Sequence, residues 1–204
     1  MPKALTDQDI NAFQDQLCDV AERLFAEHGP EAVTMRQLAT ELNISPMTPY
    51  RYFKDKDAIL AAVRARAFNR HAEAIERAYE DSPGDLLART SAAGLAYVRF
   101  AFEHQAAYVM MFDTNQPREA DYPELVAAGN RSRATMTRHL RDLIAAGQWS
   151  GDPELVGHMY WAAMHGPIML HLSGKLMGGV EATRIIAGLV GVLNDRFFVP
   201  KHHP

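Results

Sequence analysis

The chain has 204 residues, 48% of them hydrophobic and 23% charged, with a formal net charge of −4; this suffices for a buried core in one large or two small domains and excludes a disordered chain. The single cysteine, Cys18, excludes an internal disulfide framework and any multi-cysteine metal cluster. The longest apolar stretches, such as YWAAM and IIAGLVGVL, fall short of the roughly 20 residues a bilayer needs, and the first residues carry acids where a signal peptide has bases, so a cytoplasmic protein with no membrane partner is expected.

Strand signals are nearly absent and helical spacing recurs from Asp9 onward, which predicts an all-α fold of about nine helices. Ile10, Phe13, Leu17, Val20, Ala21, Leu24 and Phe25 mark the first, which stops at His28-Gly29-Pro30. Thr34 and Gln37 match a capping box and open a short second helix from Met35 to Leu42. Asn43-Ile44 makes a turn. A third helix then starts with Ser45 as N-cap and Pro46 at its first position. Pro49, four residues past that cap, predicts a distorted or 3₁₀-like first turn, with regular helix from about Thr48.

Asp55 caps a long fourth helix to about Tyr79, broken by Ser82-Pro83-Gly84-Asp85. Further helices are expected over Leu86–Glu103, Ala106–Phe112, Pro123–Ala146, Pro153–Ser173 and Val180–Phe198. The expected domains are 1–55, a connecting helix over 56–80, a second domain over 81–199 and a tail from 200 to 204.

Net acidity argues against a nucleic-acid partner, but the charge is uneven. Between Met35 and Arg70 the bases Arg36, Arg51, Lys54, Lys56, Arg64, Arg66 and Arg70 outnumber the acids Glu41, Asp55 and Asp57. A capped short helix, a tight turn and a second helix opening with hydroxyl, aromatic and basic residues is the layout of a helix-turn-helix DNA reader.

The run LFAEHGPEAVTMRQLATELNISPMTPYRYFKDKDAIL resembles the N-terminal domain of the TetR-like (TetR/AcrR) transcriptional repressors, and FEHQAAYVMMF and YWAAMHGPIML resemble the ligand domain of a subgroup with a Trp-containing segment ending in His-Gly. Met47 and Pro49 depart from that pattern, where Gly and an aliphatic residue are usual. The resemblance implies double-stranded DNA as partner, with Thr34 and Lys56 touching phosphate and Arg36 phosphate or an adjacent base. It places Ser45, Pro46, Met47, Thr48, Tyr50, Arg51 and Tyr52 along the groove. Arg51 suits guanine, and Met47 or Pro46 a thymine methyl. Tyr50 and Phe53 could instead pin the short helix to the first one.

The resemblance also implies a homodimer through the last two helices and release from DNA by a small, mostly apolar effector. Apolar residues on more than one face of the last helix, Ile185, Ile186, Leu189, Val190, Val192 and Leu193 among them, suit a dimer interface or simple burial. Candidate ligand contacts are Tyr97, Phe100, His104, Met111, Met136, Leu140, Trp161, Met164, His165 and Ile168, for each of which a core position is the alternative. No cofactor or metal is expected. His158, His165 and His171 lack the i, i+4 spacing that chelates well. An enzyme is expected least, since the sequence has neither a Gly-rich phosphate loop nor a G-x-S-x-G elbow. A purely architectural DNA binder would not require a second domain of this size.

Overall fold

The computed structural model describes residues 6–113 and 118–200. Among these residues eight α-helices form: α1 (Asp7–His28), α2 (Met35–Glu41), α3 (Lys56–Asp81), α4 (Leu86–Glu103), α5 (Gln105–Phe112), α6 (Pro123–Ala145), α7 (Pro153–Leu172) and α8 (Ala182–Phe197). Two 3₁₀ turns, Pro49–Arg51 and Glu119–Asp121, complete the regular structure. Among the described residues there is no β-strand, only one antiparallel bridge between Trp149 and Phe198. No helix there is long and apolar enough to cross a membrane. Of the expected tail at 200–204, residues 201–204 lie outside the described residues.

The chain divides into two compact units, Met1–Ala67 with Met110–Ala128, and Phe68–Val109 with Gly129–Pro204. In the first, Leu17, Ala21, Leu24 and Phe25 of α1 share a core with Val33, Met35 and Leu38 around α2 and with Ile59, Leu60 and Val63 of α3. The caps are the ones the side chains dictate. Thr34 Oγ1 accepts from the Gln37 amide while Gln37 Oε1 accepts from the Thr34 amide at 2.8 Å. The Ala58 amide donates to Asp55 Oδ1 at 2.8 Å and opens α3. Gly29, at φ 79°, ends α1 in a conformation that L side chains avoid.

The third predicted helix is where the structure differs. No regular helix is established from Thr48. Pro46 and Pro49 remove two backbone donors within four residues, and what remains is a chain of short-range bonds. Thr48 N–H reaches the Ser45 carbonyl at 2.8 Å, Arg51 N–H the Thr48 carbonyl at 3.0 Å and Tyr52 N–H the Pro49 carbonyl at 3.0 Å. These are i to i−3 bonds, so the segment is 3₁₀. The other helices form within two residues of the expected bounds, α8 starting later because Gly178 and Gly179 both hold positive φ just before it.

In the second unit, α7 packs against α4 and α8. Leu140, Leu143, Trp149, Val156 and Phe197 form one buried cluster. The loop after α6 is tied to the end of α8 by Ser150 N–H to the Phe197 carbonyl and Val199 N–H to the Gln148 carbonyl, both 2.9 Å. α6 and α7 come close at Gly157, where an added Cβ would lie 2.6 Å from Thr137 Cγ2 and 3.4 Å from the Met136 carbonyl. Gly157→Ala should therefore lower stability by about 1–3 kcal/mol despite alanine's better helix propensity. Urea unfolding measures it, and adding Thr137→Ser should recover part of the loss. An unchanged midpoint would mean the two helices do not meet there.

Candidate functional site

Two arrangements stand out, one in each unit. The first is the segment Asn43–Tyr52. α2 ends at Leu42, and Asn43 turns the chain at φ 53°, a left-handed conformation that asparagine tolerates better than most residues. Ile44 N–H bonds back to the Ala39 carbonyl at 3.0 Å, which closes the turn. Ser45 Oγ accepts from Met47 N–H at 3.4 Å. Pro49 is buried beneath the segment, while Met47 at 68% and Tyr50 at 49% are exposed, as are Ser45, Pro46 and Arg51. Thr48 is half-buried. Tyr52 turns inward: its ring lies 4.3 Å from that of Phe13, and its carbonyl accepts from Gln14 Nε2 at 3.2 Å. It pins the segment to α1, together with the core residue Phe53.

The basic cluster contracts once partners are counted. Arg64, 3% exposed, donates to the Met111 carbonyl at 3.1 Å and to Glu119 at 2.7 Å. Arg66 pairs with Asp19, and Lys56 Nζ is held by the Pro30 carbonyl at 2.7 Å. Arg36, Arg51 and Lys54 stay exposed with no side-chain partner among the described residues. They can still take one, and Arg51 stands beside Tyr50 and Met47.

The second arrangement is a cavity of about 410 Å³ in the second unit, bounded by α3, α4, α6, α7, α8 and the loop at Trp149. Its walls are mainly aliphatic and aromatic, with Ile75, Val98, Met136, Leu140, Met164, Ile186 and Val190 among them. That size and lining suit a small apolar molecule. A chain of hydrogen bonds runs inward from the lining residues Trp161 and Tyr97. Trp161 Nε1 donates to Tyr97 Oη at 3.1 Å, Tyr97 Oη lies 2.5 Å from Tyr108 Oη, and Tyr108 Oη lies 2.7 Å from His165 Nδ1.

Sequence comparison agrees with this division. The family model described as bacterial regulatory proteins, tetR family, matches residues 17–63, and that described as tetracyclin repressor-like, C-terminal domain, matches residues 90–193. The chain belongs to the TetR family. A Rhodococcus protein of unknown function is similar over 98% of this chain and 100% of its own, with a TM-score of 0.80 and 26% identity. A TetR-family regulator structure from Mesorhizobium loti covers 96% of this chain and 100% of its own at a TM-score of 0.72 and 14% identity, a likeness of fold. A Mycobacterium tuberculosis HTH-type transcriptional repressor is 34% identical over 77 residues, or 38% of this chain and 41% of that protein. The matched stretches of the first curated relatives span only 30% to 41% of those proteins' lengths. These relatives are named as transcriptional regulators or repressors.

The sequence-expected contacts of this TetR-family chain divide in two. Tyr97, Met136, Leu140, Trp161 and Met164 line the cavity. Phe100 instead packs edge-on against His71 at 5.1 Å, and Ile168 is fully buried away from the lining. His104 is the exposed C-cap of α4, and Met111 belongs to the first unit. His165 does not line the cavity but bonds Tyr108 and packs against the lining residue Trp161 at 5.7 Å. Sequence reasoning missed Trp149, Thr90, His139, Ile186 and Val190. A tryptophan in a short interhelical loop was the available signal, since large apolar groups there are there to be covered. His158, His165 and His171 face Glu154, Tyr108 and Phe102 respectively, and no group of three or more metal-binding side chains exists among the described residues.

Two histidines of this unit are buried neutral. His71 bonds Ser132 Oγ through Nδ1 at 2.9 Å, and burial pushes its pKa down to about 3. His139 stacks on Tyr79 at 5.1 Å, and burial takes its pKa to about 4. An unfolded chain protonates both near 6.5. The unfolded state thus binds more protons between about pH 6.5 and 4, and stability is lost as pH falls through that window, by up to about 1.4 kcal/mol per pH unit per histidine. Urea unfolding at several pH values should show this slope, reduced in His139→Gln. A flat profile would contradict their burial.

Proposed function

We propose that this TetR-family protein is a ligand-responsive transcriptional repressor that binds a palindromic duplex operator as a homodimer and releases it when a small, mostly apolar molecule fills the cavity. Residues 1–55 read DNA, 56–80 connect, and 81–199 hold ligand and partner. The observation that carries this reading is the capped α2, the left-handed turn at Asn43 and the 3₁₀ segment that leaves Met47, Tyr50 and Arg51 exposed. An exposed guanidinium beside apolar and aromatic groups on a rigid mount is what major-groove reading requires.

In this reading Arg51 contacts guanine and Met47 or Pro46 a thymine methyl, with Ser45, Thr48, Tyr50 and Arg36 beside them. Thr34 and Lys56 stand at the starts of α2 and α3, where free backbone N–H groups and the helix dipole favour a phosphate. Tyr52 acts by holding the segment against Phe13. Arg51→Ala should cost about 1–3 kcal/mol of operator binding and relax preference at one position per half-site. Selection of bound sequences from random DNA followed by anisotropy titration tests this, and unchanged affinity and preference would remove Arg51 from base reading.

Dimerisation rests on apolar residues left uncovered on the last two helices. Leu155, Met159 and Leu170 of α7 are exposed, as are Leu189 and Val192 of α8. Two such helices from each of two copies make a self-complementary, two-fold patch. Val192→Glu should weaken self-association at least about tenfold and operator affinity with it, because a carboxylate would be buried unpaired. Sedimentation read alongside DNA binding checks the link; a variant that remains dimeric would place the interface elsewhere.

A further inference from the structure

Trp149 is 5% exposed, yet its indole Nε1 has no hydrogen-bond partner among the described residues. Thr90 Oγ1 is in the same condition. Both residues line the cavity. Buried donors are ordinarily satisfied, and an indole N–H can only donate, so it calls for an oxygen. Leu86, one helical turn before Thr90 on α4, packs on the cluster that contains Trp149. The Trp161, Tyr97, Tyr108 and His165 chain is already bonded. Of the polar atoms on the lining residues, Trp149 Nε1 and Thr90 Oγ1 are the buried ones left without a partner among the described residues.

The lining has a second property. Among the described residues it includes no Lys, Arg, Asp or Glu. His139 remains neutral there, its burial holding the pKa at about 4. A carboxylate or phosphate entering this space would lose its hydration and meet no opposite charge. Two neutral donors match the two lone pairs of a single oxygen.

We propose that the cavity takes an uncharged, largely apolar ligand with a ketone or alcohol oxygen at one end, held by Trp149 Nε1 and Thr90 Oγ1. This rests on the cavity being the effector site. Empty, the two anchors carry the desolvation cost of unmet hydrogen bonds; occupied, they are satisfied. Removing either should thus stabilise the free protein while weakening the ligand, a pair of opposite effects that a merely structural role does not produce.

The test uses the full chain with 2-decanone, 1-decanol and decanoate at alkaline pH, followed by calorimetry and by the fluorescence of the chain's two tryptophans, both of which line the cavity. The ketone and alcohol should bind at least about tenfold more tightly than decanoate. Trp149→Phe and Thr90→Val should each weaken 2-decanone roughly three- to tenfold, with the ligand-free melting temperature unchanged or a few degrees higher. Thr90→Val preserves shape and stands in if Trp149→Phe does not fold. Decanoate binding as tightly as the ketone overturns the proposal, as do undiminished 2-decanone affinity in both variants or no binding of any probe. Should decanoate bind tightly and release operator, the effector reading survives alone. Should the ketone bind in the expected order yet leave operator bound, the cavity chemistry stands and the effector reading falls.

Discussion

Buried polar groups must find partners, and the second unit is built around how far that demand is met. Tyr97 from α4, Tyr108 from α5 and Trp161 and His165 from α7 meet in one hydrogen-bonded chain. Burial raises the pKa of both tyrosines, so their hydroxyls remain intact and keep donating. Such a chain fixes helix positions more tightly than apolar packing alone, because each member has few acceptable geometries. With these side chains locked, a defined cavity is left between α4, α6, α7 and α8. The buried Trp149 Nε1 and Thr90 Oγ1 are left unmet among its lining residues.

A comparable shortage shapes the first unit, there in the backbone. Pro46 and Pro49 withhold two N–H donors, and the chain answers with 3₁₀ bonds and by burying the Pro49 ring. Tighter winding rotates successive side chains by a third of a turn, so the segment divides sharply: Pro49 and Tyr52 face the core while Tyr50 and Arg51 face outward.

Electrostatics separates what charge counts merge. Arg64 and Arg66 look like part of a basic surface in the sequence, yet one is buried on Glu119 and the other is paired with Asp19. The exposed pairs elsewhere, such as Arg77 with Glu73 and Arg131 with Glu76, lie on helix surfaces where such contacts contribute little to stability. Of that basic segment, Arg36, Arg51 and Lys54 are exposed with no side-chain partner among the described residues. They stand close in sequence to the segment whose apolar and aromatic groups are also unburied.

The sequence by itself determined the helices and their ends, because Thr34 with Gln37, Asp55, Gly29 and Asp152-Pro153 act on neighbours within one turn, where local chemistry decides. It also carried the family motifs in contiguous runs. It could indicate that Pro49 distorts the segment after Asn43, but the extent depended on whether a core accepted the ring. Five of the ten expected ligand contacts line the cavity; Phe100, His104, Met111, His165 and Ile168 do not, since periodicity tells that a residue is apolar or helical but not which neighbour fills the space beside it. Trp149 owes its place to the bridge between the loop after α6 and the chain beyond α8, partners some 50 residues apart. Only the tertiary structure could leave its N–H unmet, because an orphaned donor is defined by everything that surrounds it.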